Sequence, residues 1–163
     1  MSKYNLQTFA NKLTLQPFLD FKRSGTIVLL LALAIALAGV IVPRYFPEQS
    51  TLKPLFYVVA GMFALRGLFE YVIKSNIVIE FDKEDGFVFK KLPGLYKRRL
   101  IKIEDIESIV PIYTNGTAQY CITNRHNMFG KNYPVSSFVS DKSKRKREFE
   151  EIVLPAIYQF IGE

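Results

Sequence analysis

The side chains with the most pronounced chemistry are cations that occur in runs. Lys97, Arg98, Arg99 and Lys102 form one run, preceded by Lys90 and Lys91. Lys142, Lys144, Arg145, Lys146 and Arg147 form a second. Lysine and arginine held near a leaflet of anionic lipid gain roughly 1 kcal/mol each. The candidate contacts to anionic headgroups are therefore Lys97, Arg98, Arg99, Lys102, Lys144, Arg145, Lys146 and Arg147. The competing reading of the same residues is solubilising, positive-inside charge. A nucleic-acid partner is not expected, because basic runs without a recognisable binding fold are weak evidence for one.

Catalytic and metal chemistry find no such foothold. His126 is the single histidine and stands in a turn-rich stretch; Cys121 is the single cysteine and sits in a strand pattern. A lone cysteine there reads as a small buried hydrophobe. Without a second cysteine no intrachain disulfide forms, which fits a reducing compartment. No Cys/His set has metal-ligand spacing, and no Walker loop, GxGxxG or GxSxG is present. Glu104, Asp105 and Glu107 crowd one corner and read as a solvated turn. The expectation is a non-enzymatic chain with no cofactor.

One further pair stands apart. Arg66 and Glu70 lie four residues apart inside an apolar stretch, so they share a helix face and can pair. Close to the end of a membrane span such residues snorkel toward the headgroups; deeper, they form an intramembrane polar site.

The elements that carry these residues follow from the hydropathy pattern. The chain has 163 residues, is 49% hydrophobic and 23% charged, and has a net charge of +7. Its apolar material is concentrated between Gly25 and Ile73. From Gly25 to Val42 there is no charge; about 18 helical residues cover roughly 27 Å, close to the bilayer core. A second span runs from Pro54 to Ile73, with Pro54 suited to a first helical turn. The connection of about 11 residues predicts antiparallel neighbours. Alanines at 32, 34, 36 and 38, with Ala60 and Ala64, supply small residues for helix contact within the hairpin or in a homo-oligomer. A cleaved signal peptide is not expected, because a second apolar segment follows the first closely.

Lys12, Lys22 and Arg23 precede the first span, and Lys74, Lys83, Lys90 and Lys91 follow the second; the connection holds Arg44 and Lys53. The positive-inside bias then predicts cytoplasmic N- and C-termini. Residues 1–24 carry Tyr4, Leu6, Phe9, Leu13, Phe18 and Phe21 among polar residues. Part of this stretch reads as an amphipathic helix, interrupted near Pro17, either on the membrane surface or packed on the soluble domain.

After Ile73 the period changes to two. Runs around 77–82 and 87–91 flank Asp85-Gly86, Pro93-Gly94 marks a further turn, and Tyr96–Ile103 forms a third strand. A strand over 107–113 and one over 117–123 flank Asn115-Gly116, a strong hairpin signal. A turn-rich connection from Asn124 to Asn132 leads to a last strand over Tyr133–Phe138. Ser140 or Asp141 then caps a helix over about 142–161, with Phe149, Ile152, Val153, Ala156, Ile157 and Phe160 on one face and a kink at Pro155. The fold class is α+β: a transmembrane helical hairpin (25–73) followed by a domain over 74–163, an antiparallel barrel or sandwich closed by the C-terminal helix.

Two closely spaced apolar helices, the segment IKIEDIESIVPI (Ile101–Ile112) and the segment YPVSSFVSDKSKRKREFEEIVLPAIYQFI (Tyr133–Ile161) together resemble the bacterial PH-like membrane proteins of the YcxB-like type. The resemblance covers about half of the chain. It implies a PH-like cytoplasmic domain at the bacterial inner membrane. In phosphoinositide-binding PH domains the basic motif spans the first hairpin, whereas here Lys83-Glu84-Asp85-Gly86 is mostly acidic, which argues against specific inositide recognition. The functional expectation is an interaction or scaffold module that binds a protein partner or the anionic inner leaflet. The alternative is an accessory or regulatory subunit of a membrane transport complex, contacted through the hairpin and Arg66/Glu70.

Overall fold

A computed structural model describes residues 4–126 and 132–162. The chain is α+β, with two long apolar helices and antiparallel sheets. It divides into one unit of residues 20–75 and another that joins residues 1–19 to residues 76–163.

The first unit is a pair of helices. Helix α1 spans Asp20–Tyr45 and α2 spans Lys53–Leu68, continued by a wide π turn over Phe69–Ile73; a 3-10 turn over Pro47–Leu52 joins them. Both are long and apolar enough to cross a membrane. Their seam is built from small residues seven apart: Gly25, Ala32 and Gly39 on α1, Ala60 and Gly67 on α2. A seven-residue period keeps one face in register along a partner helix. Approach is close. A Cβ on Gly25 would lie 2.9 Å from the Gly67 carbonyl oxygen, and one on Gly39 would lie 2.8 Å from the Phe56 Cβ. The expected alanine ladder is thus only partly the seam: Ala34 faces outward and the glycines do the close packing.

The second unit begins before the helices. Strands β1 (Gln7–Thr8) and β2 (Lys12–Leu15) replace the expected N-terminal amphipathic helix. Leu13 and Leu15 alternate with half-exposed Lys12 and Thr14, a two-residue period too short to stand out in the sequence. Strand β2 pairs with β3 (Val78–Asp82), which follows the helices, and β4 (Phe87–Leu92) and β5 (Tyr96–Lys102) complete a sheet in the order β1-β2-β3-β4-β5. Leu13, Phe81, Val88 and Ile101 lie side by side across four strands, all buried. A boundary at residue 74 therefore separates strands of one sheet.

Strands β6 (Ile106–Thr114) and β7 (Thr117–Asn124) form the second sheet with β8 (Tyr133–Pro134) and β9 (Val139–Ser140). Asn115 and Gly116 both take positive φ, 48° and 73°, as the tight two-residue hairpin requires. Of the expected strand over 133–138 only Tyr133–Pro134 is strand, and β9 follows just beyond it at Val139–Ser140. Between them Ser136 accepts a hydrogen bond from the Tyr120 N–H on its own hydroxyl at 2.8 Å, in place of a ladder bond. The connection before β8 lies, over 127–131, outside the described residues.

The C-terminal helix comprises α3 (Lys144–Glu148), a π turn (Phe149–Val153) and α4 (Leu154–Gly162). Ser143 is its cap, accepting from the Lys146 N–H at 3.2 Å. The wide turn ends two residues before Pro155, whose ring would clash with a regular upstream carbonyl. Phe149, Val153, Ile157 and Phe160 are buried, while Ile152, expected on that face, is 57% exposed. Phe149 stacks on Tyr120 at 4.4 Å and meets the Tyr4 ring edge-on at 5.2 Å. Tyr158 accepts the Ile109 N–H of edge strand β6 at 3.0 Å, which covers part of an open edge.

Candidate functional site

The β4–β5 hairpin positions the first basic run. Pro93 and Gly94 (φ 77°) form its turn, closed by the Leu95 N–H donating to the Leu92 carbonyl at 3.0 Å. That turn fixes the register: Lys91 faces Lys97 and Lys90 faces Arg98. Like charges directly opposite one another are destabilising unless an anion intervenes.

The two cationic pairs are resolved differently. Lys91 bonds to the buried Glu80 carboxylate, and Lys97 lies 3.8 Å from the other Glu80 oxygen and 3.4 Å from Asp85. Lys97 also sits 3.6 Å over the Phe89 ring. This pair is neutralised within the sheet. Lys90 and Arg98 have no such relief: among the described residues no carboxylate comes within ion-pairing distance of either, nor of Arg99. Arg99 stacks 4.8 Å over the Phe87 ring. Lys90, Arg98 and Arg99 line a cleft of about 280 Å³ with Leu100, Tyr133 and Pro134. Lys102 is diverted to Glu104 at 3.0 Å, which with Asp105 raises its pKa.

The second run is largely occupied with holding the fold. Arg145 donates through Nη2 to the Pro17 carbonyl at 2.8 Å and stacks 4.8 Å over the Tyr4 ring. Lys146 bonds to Asp141 at 2.7 Å, which holds its ammonium above the ordinary pKa. Arg145 and Lys146 thus anchor the N-terminal segment and the helix start, while Lys144 and Arg147 remain exposed. Four cations at a helix N-terminus oppose its dipole, and the Ser143 cap and Asp141 offset this.

Arg66 and Glu70 do meet, Nε to Oε1 at 3.4 Å, but on one helix. The link across helices is made by Ser24 of α1, whose hydroxyl donates to Glu70 Oε2 at 2.8 Å. Glu70 is buried and Arg66 is exposed.

Cys121, Tyr120 and Asp82 are three further titratable groups that are buried. Burial pushes the Cys121 thiol up to about 11. Burial, with the hydrogen bond to Glu150, raises the Tyr120 phenol. Burial alone would raise the Asp82 carboxyl, but Lys12 at 3.0 Å and N–H groups from Asp85 and Glu84 outweigh it and hold the carboxyl below its ordinary value. Among the described residues no group of three or more His, Cys, Asp or Glu side chains could hold a metal ion.

The runs themselves pointed to Arg98 and Arg99. Lys90 enters the site through strand register, and Tyr133 by lining the same cleft from β8, distant in sequence. No protein-family model, curated protein or solved structure matches the chain.

Proposed function

We propose that the chain is a non-enzymatic, membrane-anchored, PH-like interaction module of the bacterial inner membrane. Its β unit faces the cytoplasm and engages the phosphate groups of anionic lipids in the inner leaflet. The observation that carries this reading is the uncompensated pair Lys90/Arg98 with Arg99 beside it. A cross-strand repulsion left open at an accessible cleft is relieved by an anion from outside the chain. Three such cations contribute on the order of 3 kcal/mol near an anionic surface. Anchorage makes that modest sum sufficient, because it turns lipid capture into an intramolecular event.

Anchorage is supported by the helices. Only 17% of the apolar window of either one is buried, and side chains such as Leu30, Leu33, Val58 and Leu65 point outward. A soluble core helix would bury them. The pairing of β2 with β3 also supports a hairpin, since strands on either side of the helices can meet only if the chain returns to the side it left. The four-strand meander β2–β5, the sheet β6–β8 and the closing helix support the PH-like reading. The accessory-subunit reading rests on Arg66 and Glu70 pairing across helices; here the two pair on one helix, and Ser24 makes the link across the hairpin to Glu70.

The test is native mass spectrometry of the full chain extracted in mild detergent from membranes containing phosphatidylglycerol and phosphatidylethanolamine. Wild type is expected to retain phosphatidylglycerol in excess over its share of the extract. The double substitution Arg98→Glu/Arg99→Glu is expected to abolish that excess. Equal retention by the two forms overturns the reading.

A further inference from the structure

The β4–β5 turn carries a second feature that the cations do not explain. Leu95 is 73% exposed and Tyr96 45% exposed, at the tip of a tight Pro-Gly turn, with Lys97, Arg98 and Arg99 directly following. An exposed leucine and tyrosine backed by cations have the composition of a segment that lies in a lipid interface. There an aromatic ring sits at headgroup level and an aliphatic side chain reaches past it.

Sheet register places this tip. Leu15 pairs with Ile79, Val78 with Lys91, and Leu92 with Tyr96. The end of β2, the start of β3 and the β4–β5 turn therefore share one end of the sheet. The β3–β4 turn, with Glu84 and Asp85, is at the other end. Residues 16–19 connect β2 to α1, and residue 77 directly precedes β3. Four extended residues reach at most about 14 Å. Both charge and connection therefore select one occupant for this tip.

We propose that Leu95 and Tyr96 form a wedge that inserts into the interface of the bilayer that holds α1 and α2, while Arg98 and Arg99 contact its anionic headgroups. The inference rests on the membrane-anchored reading and deepens it by naming the residues that enter the interface. Leucine supplies apolar area, and the arginines supply preference for an anionic leaflet.

The test uses the full chain in nanodiscs of phosphatidylcholine with phosphatidylglycerol, bearing either Leu95→Cys or Glu84→Cys. The probe is a charged, water-soluble thiol reagent. Native Cys121 is buried and does not contribute to the fast phase. A thiol withdrawn into an apolar interface loses thiolate character and access together, so Leu95→Cys is expected to react at least about tenfold more slowly than Glu84→Cys. Equal rates in nanodiscs overturn the wedge. Failure here is separable from failure of the headgroup reading. Equal rates with the phosphatidylglycerol excess intact sink the wedge alone. A slow Leu95→Cys in pure phosphatidylcholine discs, with no phosphatidylglycerol excess, upholds the wedge and sinks the headgroup reading. A chain that does not enter nanodiscs sinks both.

Discussion

Substituting Leu13→Ala tests whether the N-terminal segment is a strand of the β unit. Leu13 is fully buried and lies opposite Phe81, which lies opposite Val88. The substitution removes three carbon groups from that row, about 2.4 kcal/mol at about 0.8 kcal/mol each. A residual void of about 40 Å³ adds about 1 kcal/mol more. Some collapse of a strand near the sheet edge reduces the sum, so about 3 kcal/mol is expected. The assay follows Cys121, buried on β7, as a reporter of opening: the full chain in mild detergent is exposed to a thiol reagent and its labelling rate is measured. In the regime where opening equilibrates faster than labelling, 3 kcal/mol raises the rate about 150-fold. Thr8→Ala, at an exposed position on β1, should change it less than about threefold. If Leu13→Ala labels at the wild-type rate, the first residues do not belong to the sheet, and the reasoning from Leu13 through Ile101 fails.

Other expectations follow from single features. Asp82 has a folded pKa below its ordinary value of 3.8, so its contribution is fully present above that value and is lost as pH falls through the lower, folded one. Asp82→Asn should therefore flatten the acid limb of a pH-stability curve while lowering stability at neutral pH; an unchanged acid limb would refute this. Gly39→Val places a Cβ where the Phe56 Cβ already lies 2.8 Å away, an overpacking of about 1–3 kcal/mol. Disulfide cross-linking of an Ala32→Cys/Ala60→Cys pair in membranes should slow accordingly, and an unaltered rate would count against the seam. Phe149→Ala removes a fully buried ring shared by Tyr4 and Tyr120 and should destabilise the β unit by about 3–5 kcal/mol, read by the same Cys121 labelling.

What was legible in the sequence was local. Asp85-Gly86, Pro93-Gly94 and Asn115-Gly116 mark turns because positive φ there leaves few alternatives to glycine, and all three open hairpins between adjacent strands. The apolar helices and the amphipathic C-terminal helix were legible from periodicity over many residues. Strand β2 was not, because four residues carry little periodic signal and its partner β3 lies beyond two helices. The split at Ser136 was hidden because a side chain stands in for a ladder bond. The same division holds at the candidate site. Arg98 and Arg99 announce themselves as a run, but the isolation of Lys90 from any carboxylate depends on which strand face each residue takes. Arg145 and Lys146 resembled free charge because Pro17 and Tyr4 are distant in sequence, and Asp141 was read only as a cap.

The order of strands also constrains how the chain is made. Strand β2 leaves the ribosome before either helix, yet its slot beside β3 does not exist until two apolar helices have been synthesised. The sheet can close only after both have been delivered to their destination and the chain has come back. If the helices form the proposed membrane hairpin, one inserted halfway would maroon β2 across the lipid and leave one edge of β3 bare, with buried positions such as Ile79 and Phe81 losing their neighbours. Such a product is sticky and readily proteolysed. On the proposed membrane-anchored reading, closure of the sheet is therefore a checkpoint on correct insertion, written into the connectivity of the fold.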